Sequence, residues 1–293
     1  MRRKHVMEMI AGYTFMMPFI VSISVFLLGP LIFAFIISFK NFSFLNPEAA
    51  TWVGFKNYVQ LFRDPVFRRA LLNTALYSSI VTPVQLAIAL ILAVILDQKI
   101  KGRTFFRLAY YIPTVTSPVA VAVIFLYLFK ADGLVNTILA KFGIQGPVWF
   151  NSVRFALPSI MMMAIWSSVG TYMVVFLAGL QDIPAELYEA AEVDGASGIQ
   201  RFFYITLPVL RPVVFFNLII SLIGTFQVFD QAYVVSRGEG GPLNATMTVV
   251  LFIYRQGFRE FNMGYASAAA FVLFIIILIL TLIQRKIFRE ETS

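Results

Sequence analysis

The sequence predicts an all-α, polytopic membrane protein with six transmembrane helices and a cytoplasmic helix–Gly–helix loop. Composition is the first observation behind this. Of 293 residues, 59% are apolar and 13% charged, where a soluble domain is about 45–50% apolar and about 25% charged. A water-soluble globule of this length has too little interior to hide so much apolar surface. The second observation is that the apolar residues fall into six stretches of membrane-crossing length. The third is one polar, patterned segment, residues 181–208, that interrupts them. Together these exclude a soluble enzyme, a disordered tail and, with no cysteine in the chain, a disulfide scaffold. The formal net charge of +8 then belongs to membrane boundaries, beside anionic lipid, and not to nucleic acid.

A span needs about 20 mostly apolar residues to cross a hydrocarbon layer about 30 Å thick. By that window the spans run roughly over 11–37, 71–96, 108–129, 155–180, 209–235 and 265–284. The last is the purest. The others carry Pro, Gly, Ser, Thr, Asn or Gln, so one side of each faces protein. The first resembles a signal peptide only in its leading Arg2, Arg3 and Lys4; it is too long and no A-x-A-like site follows, so it reads as retained. The clusters Arg2–Lys4, Lys99/Lys101/Arg103/Arg107 and Arg285/Lys286/Arg289 share one side when the span count is even, and the positive-inside rule makes that side cytoplasmic. Trp52, Phe55, Tyr58 and Phe62, mixed with Lys56 and Arg63, form an amphipathic stretch for the outer interface. The chain reads as a single domain over 1–293, without an internal repeat and with both termini in the cytoplasm.

The segment 181–208 reads QDIPAELYEAAEVDGASGIQRFFYITLP. Pro184 suits a first helical turn, and Asp182 and Glu186 place negative charge at the positive helix end. Leu187, Ala190, Ala191 and Asp194 share one face by i, i+3, i+4, i+7 spacing. Gly195 stops the helix in a left-handed cap. Ser197 and Gln200 have capping-box spacing for a second helix, and Pro208 and Pro212 shape the path into span five. Such a short helix pair, with small residues at its turn, fits a groove on a partner protein.

Glu189-Ala190-Ala191, three residues, Gly195, nine residues, Ile205, one residue, Leu207-Pro208 resembles the EAA loop of ABC-importer permeases, E-A-A-x3-G-x9-I-x-L-P, at every specified position. The resemblance extends through Gly54-Phe55-Lys56-Asn57-Tyr58, Asn73-Thr74, Phe105-Phe106-Arg107, residues 176–181, Phe229-Asp230-Gln231-Ala232-Tyr233, Gly240-Gly241-Pro242 and residues 263–267. These look like the carbohydrate-uptake branch, in particular the first permease of oligosaccharide and glycerol-3-phosphate importers. The resemblance implies a second, homologous permease, two ATPase subunits that bind ATP and Mg, an external solute-binding protein, a sugar substrate, and a prokaryotic inner membrane. It also implies that Glu189, Ala190, Ala191, Asp194, Gly195, Ala196 and Ser197 couple the chain to an ATPase.

This chain itself has no G-x-x-x-x-G-K-[ST] loop, so any ATP hydrolysis belongs to another subunit, and no cofactor is expected here. Its one histidine, His5, sits in the basic N-terminal tail, which leaves no His/Cys metal site and no Ser-His-Asp arrangement. Polar residues within spans are costly and tend to face protein or a wet cavity. Candidates for a sugar pathway are Trp166, Ser168, Thr171 and Tyr172 in span four and Thr225, Gln227, Asp230 and Tyr233 in span five. The structural alternative is helix–helix bonding, which also suits Asn73 and Gln85 in span two. On a straight helix Asp230 falls about 27 Å beyond Pro212, near the outer mouth. Two other classes compete. A stand-alone secondary transporter needs inverted repeats or broken helices with a central carboxylate. A membrane enzyme or scaffold needs catalytic His, Cys or paired carboxylates in the spans. A neighbouring gene for a second EAA-loop chain would separate them.

Overall fold

The computed structural model describes residues 2–98 and 101–290, with side-chain surroundings for 12–98 and 101–288. The sequence readings that rest on the side chains of Arg2, Arg3, Lys4, His5, Lys99 and Arg289 fall outside these. Contacts divide the chain, expected as one domain, into two compact units: Met1–Arg63 with Ile253–Val272, and Asp64–Phe252 with Leu273–Ser293.

In the first unit, α1 (Arg2–Ile23) passes through a π turn, Ser24–Leu28, into α2 (Gly29–Ser38). Pro30 has no N–H and clashes with the preceding turn, and the Gly29 N–H reaches back five residues to Ser24 O instead. The apolar helix Gly12–Ser38 is almost wholly exposed, which suits lipid contact. The expected amphipathic stretch is a small hairpin, β1 (Lys40–Asn41) with β2 (Thr51–Trp52), followed by α3 (Lys56–Arg63). Buried Asn57 ties it down by donating to Ser38 O at 2.8 Å and Lys40 O at 2.9 Å. Phe39 stacks on Trp52 and meets Phe55 edge-on.

The second unit opens with α4 (Pro65–Asp97), 33 residues long. Asp64 caps it, accepting from the N–H groups of Val66 and Phe67 at 2.7 and 3.3 Å, with Pro65 pre-set for the first turn. The expected third span, 108–129, is built from two helices, α5 (Arg103–Val115) and α6 (Pro118–Leu128), bent by 99°. The cause is local. The ring of Pro118 pushes the preceding residue out of the helical region, and both Thr116 (ψ 140°) and Ser117 (ψ 129°) are extended. After α7 (Leu134–Lys141), α8 (Ala156–Gln181) forms span four. Then come α9 (Ala185–Val193), α10 (Gly198–Arg201), a second π turn Phe202–Thr206, and α11 (Leu207–Val209). This π turn has the same cause as the first: Leu207, just before Pro208, bonds back to Phe202 O.

Span five is interrupted. α12 (Arg211–Phe226) stops at Gln227, and α13 (Asp230–Ser236) starts after two non-helical residues. Asp230 thus lies beyond the end of α12, at the start of α13, although Arg211–Ser236 is apolar enough throughout to count as one span. Thr248 Oγ1 donates to the carbonyl of Val228 at 2.9 Å and satisfies backbone that the break leaves open. The chain closes with α14 (Val249–Tyr254), a π turn and α15 (Met263–Glu290). The core of the second unit is the seam between α4 and α8, with Leu86, Ala89, Ala93 and Leu96 against Met173, Phe176, Leu177 and Leu180.

Candidate functional site

Two features carry chemistry: the loop that follows α8, and a polar ladder between α4, α8 and α12. The loop is built from local signals. Gly195 adopts φ +77° with nothing near its absent side chain. The N–H groups of Gly195 and Ala196 bond back to Glu192 O (3.0 Å) and Ala191 O (2.9 Å), which closes α9 in a Schellman cap. The next helix starts in a complete capping box: Ser197 N–H donates to Gln200 Oε1 at 2.7 Å, and Gln200 N–H donates to Ser197 Oγ at 3.4 Å. Pro184 takes the cap position of α9, one place earlier than the first helical turn expected of it.

The two short helices are braced against each other and against the bundle. Arg201 pairs with Glu192 at 3.3 Å across the turn, and the Tyr188 hydroxyl meets Thr206 Oγ1 at 2.9 Å. Only Tyr188 and Ala191 of α9 turn inward; Glu189, Ala190, Asp194 and Ser197 are exposed, and Ala196 is half-buried. Val193, Ile199 and Tyr204 are 88%, 74% and 80% exposed. A water-facing loop with such apolar tips matches a docking surface. At its root lies a clamp that sequence reasoning missed. With the Gln181 amide oxygen facing the arginines, it accepts from Arg103 at 2.6 Å and Arg107 at 3.0 Å, and Arg103 lies 3.6 Å from Asp97. The ends of α4 and α8 and the start of α5 are thus joined. Gln181 is the last residue of α8, where cations also face the negative helix end.

The ladder accounts for several expected pathway residues. Gln85, 2% exposed, donates to Ser221 Oγ at 2.6 Å and accepts from Ser168, which also bonds Ala164 O. Thr225 meets Ser78 at 2.7 Å and Thr82 at 3.0 Å. Asn73 donates to Asn244 O and Met247 O at 2.8 and 2.9 Å. Ser168 and Thr225 are therefore engaged in helix–helix bonds, as is Gln85, whereas Asn73, expected to join helices, holds the loop before α14 instead, and Tyr172 is buried. Trp166 and Thr171 are exposed on α8, with Trp166 against Phe125. Gln227, expected buried in the membrane interior, is instead exposed at the C-terminal cap of α12. Asp230 is exposed at the start of α13, and Tyr233 packs on Phe229. Trp166, Thr171, Gln227 and Asp230 are the pathway candidates open to another molecule.

Helices cross closely where glycine permits. A side chain at Gly170 would lie 2.2 Å from Tyr110 O of α5, and one at Gly179 would lie 2.7 Å from a methyl of Val213 of α12.

Comparison with known proteins places this arrangement. The chain is 39% identical over 280 residues to the probable ABC transporter permease protein YesP of Bacillus subtilis, covering 94% of this chain and 90% of that one. It is 39% identical to the arabinooligosaccharides transport system permease protein AraP of the same organism, covering 94% and 88%. It is 36% identical to the lactose transport system permease protein LacF of Rhizobium radiobacter, covering 96% and 94%. Among solved structures, a chain of a bacterial ABC transporter involved in import of the acidic polysaccharide alginate superposes with a TM-score of 0.87 at 25% identity, over 99% of both chains. Residues 85–290 match the family described as "Binding-protein-dependent transport system inner membrane component". The chain belongs to that family and is a membrane permease subunit of an ABC importer, not an enzyme.

Proposed function

We propose that this permease, paired with a second, homologous one, forms the pathway by which a carbohydrate delivered by a solute-binding protein enters the cell, driven by two separate ATPase subunits that hold ATP and Mg. The protruding helix–Gly195–helix loop carries this reading. A preorganised element with exposed apolar tips, joined through Gln181 to α4, α5 and α8, is suited to receive a push and pass it to the spans. Glu189, Ala190, Ala191, Asp194, Gly195, Ala196 and Ser197 make the ATPase contact. A saccharide is supported by the relatives that carry arabinooligosaccharides and lactose in their names, and by aromatic and amide groups among the open pathway positions. Trp166, Thr171, Gln227, Asp230 and Tyr233 face the solute or the second permease, and the engaged Ser168, Tyr172 and Thr225 support them from behind.

Both termini lie in the cytoplasm of a prokaryote. Within the second unit, Phe288 at the end of α15 packs on Phe215 at the start of α12, with ring centroids 4.9 Å apart. That supports a C-terminal end level with the loop, beside the basic residues Arg285 and Lys286.

The test is co-expression with the second permease, the ATPase and the binding protein, with uptake of labelled arabinotriose or lactose into vesicles. Gly195→Asp and Glu189→Lys are expected to insert normally but to release the ATPase on purification and to stop uptake. Wild-type ATPase recovery with wild-type uptake in both variants would refute the coupling assignment.

A further inference from the structure

The loop between α13 and α14 is held in an unusual backbone. Arg237, Gly238, Gly240, Gly241, Leu243 and Asn244 all have positive φ. Glycine takes this conformation freely; arginine and leucine do not. Arg237 is the left-handed residue that ends α13. Its N–H points to Val234 O at 3.4 Å, and the Gly238 N–H bonds Tyr233 O at 2.9 Å. A glycine would serve this cap at lower cost, so a bulky cation kept there marks a side chain needed at that place.

Arg237 lines a cavity of about 810 Å³ at the end of the second unit opposite the coupling loop, within the roughly 300–1,000 Å³ range of small-molecule sites. One wall is aromatic and fixed. Trp149 donates from Nε1 to Asn136 Oδ1 at 2.8 Å and meets Phe129 edge-on at 4.9 Å, while Phe129 packs against Phe150. Asn136 is held by Ala131 O and Pro147 O, each at 3.2 Å, and Gly146 leaves it room, since a side chain there would lie 2.0 Å from Asn136 Oδ1. Lys130, Asn151, Ser236 and Arg237 add polar groups to the same lining, the Ser236 hydroxyl donating to Ala232 O at 2.6 Å. Lys130 itself donates to Asp132 at 3.2 Å. The loop wall is pinned through Asn244 O, which accepts from Asn73.

Rigid aromatic surface for ring C–H groups, with amide, hydroxyl and cationic groups in the same cavity for ring hydroxyls, is chemistry suited to a saccharide. We propose that this cavity is a saccharide site, separate from the pathway positions on α8 and α12, which holds part of a sugar chain before it enters the membrane. This rests on the carbohydrate-importer reading above.

The test uses the assembled transporter in nanodiscs, with arabinotriose and lactose as probes, saturation-transfer NMR for binding in the absence of binding protein, and vesicle uptake for KM. Arg237→Gly should keep or raise the melting temperature, because it relieves the backbone, yet weaken binding of the transported probe about fivefold or more. Trp149→Ala should abolish the binding signal and Trp149→Phe should retain part of it. Wild-type binding and KM in Arg237→Gly and Trp149→Ala, with sugar uptake intact, would overturn the cavity assignment alone. Unchanged saccharide binding with weakened attachment of the binding protein would also overturn it, and would make the cavity a protein contact. Absence of sugar uptake by the wild-type assembly would overturn the importer reading itself.

Discussion

Gly170 gives the most quantitative handle on how the helices are held. In Gly170→Ala the new methyl falls 2.2 Å from the Tyr110 carbonyl oxygen, a backbone atom, and 2.8 Å from Thr114 Oγ1. Ordinary contact begins near 3.4 Å, so α5 must retreat from α8 by about 1.2 Å. The nearest obstacle is backbone, so no side-chain rotation relieves it. Retreat also pulls Thr114 Oγ1 away from Ser167 O, which it now reaches at 3.0 Å. Overpacking of this kind costs about 1–3 kcal/mol, and the lost hydrogen bond about 0.5–1.5 kcal/mol. The gain from replacing a helical glycine returns about 0.5–1 kcal/mol. The expected net loss is about 0.5–4 kcal/mol, centred near 2 kcal/mol.

Gly224→Ala is the matched control. It lies inside α12, and nothing stands within 4 Å of the added methyl. Only the helical gain of about 0.5–1 kcal/mol remains. Unfolding of the purified chain in mixed detergent micelles, followed by loss of helical circular dichroism, should rank Gly224→Ala at or above wild type and Gly170→Ala well below both. Gly170→Ala within about 0.5 kcal/mol of wild type would refute the close crossing of α5 and α8.

Ser197→Ala removes one half of the capping box and should cost about 0.5–2 kcal/mol of local helix stability; protease digestion of the loop should quicken while the spans stay protected. Gln85→Leu removes bonds to Ser168 and Ser221, but membrane side-chain bonds average only about 0.6 kcal/mol each. The variant should therefore unfold about 1 kcal/mol more easily and still assemble, and a loss above about 3 kcal/mol would show the ladder to be more than pairwise glue. Gln227→Ala should raise the KM of uptake without loss of assembly, because Gln227 is exposed and makes its observed bonds through its backbone N–H. Unchanged kinetics over a range of sugar concentrations would count against a pathway role.

How far the sequence carries depends on the distance between a residue and what determines its state. The helix–Gly–helix loop was legible to within one residue because its determinants lie within six positions: Gly195 and Ala196 bond to Glu192 and Ala191, and Ser197 to Gln200. The apolar stretches were legible as membrane segments because composition is additive along a window. The same window cannot register a break. The window averages over Thr116 and Ser117, yet the chain turns by 99° at Pro118, and the proline rule alone does not single it out, since Pro83 and Pro113 sit inside α4 and α5 without breaking them. The end of α12 had no such local sign, since the residue that takes up the Val228 carbonyl is Thr248, twenty positions on. Polar residues in the spans show the limit most plainly. Ser168, Thr225 and Gln227 looked alike as intramembrane hydrogen-bonding groups. Two are occupied by partners 83 to 147 residues away, and the third stands exposed at a helix end. Which side chain is left open to solute is thus settled by the pairing of helices, not by the polarity of the residue. It follows that the pathway should be sought among groups without a bond inside the ladder, and that variants of Gln227 and Trp166 should alter uptake kinetics where variants of Gln85 alter stability.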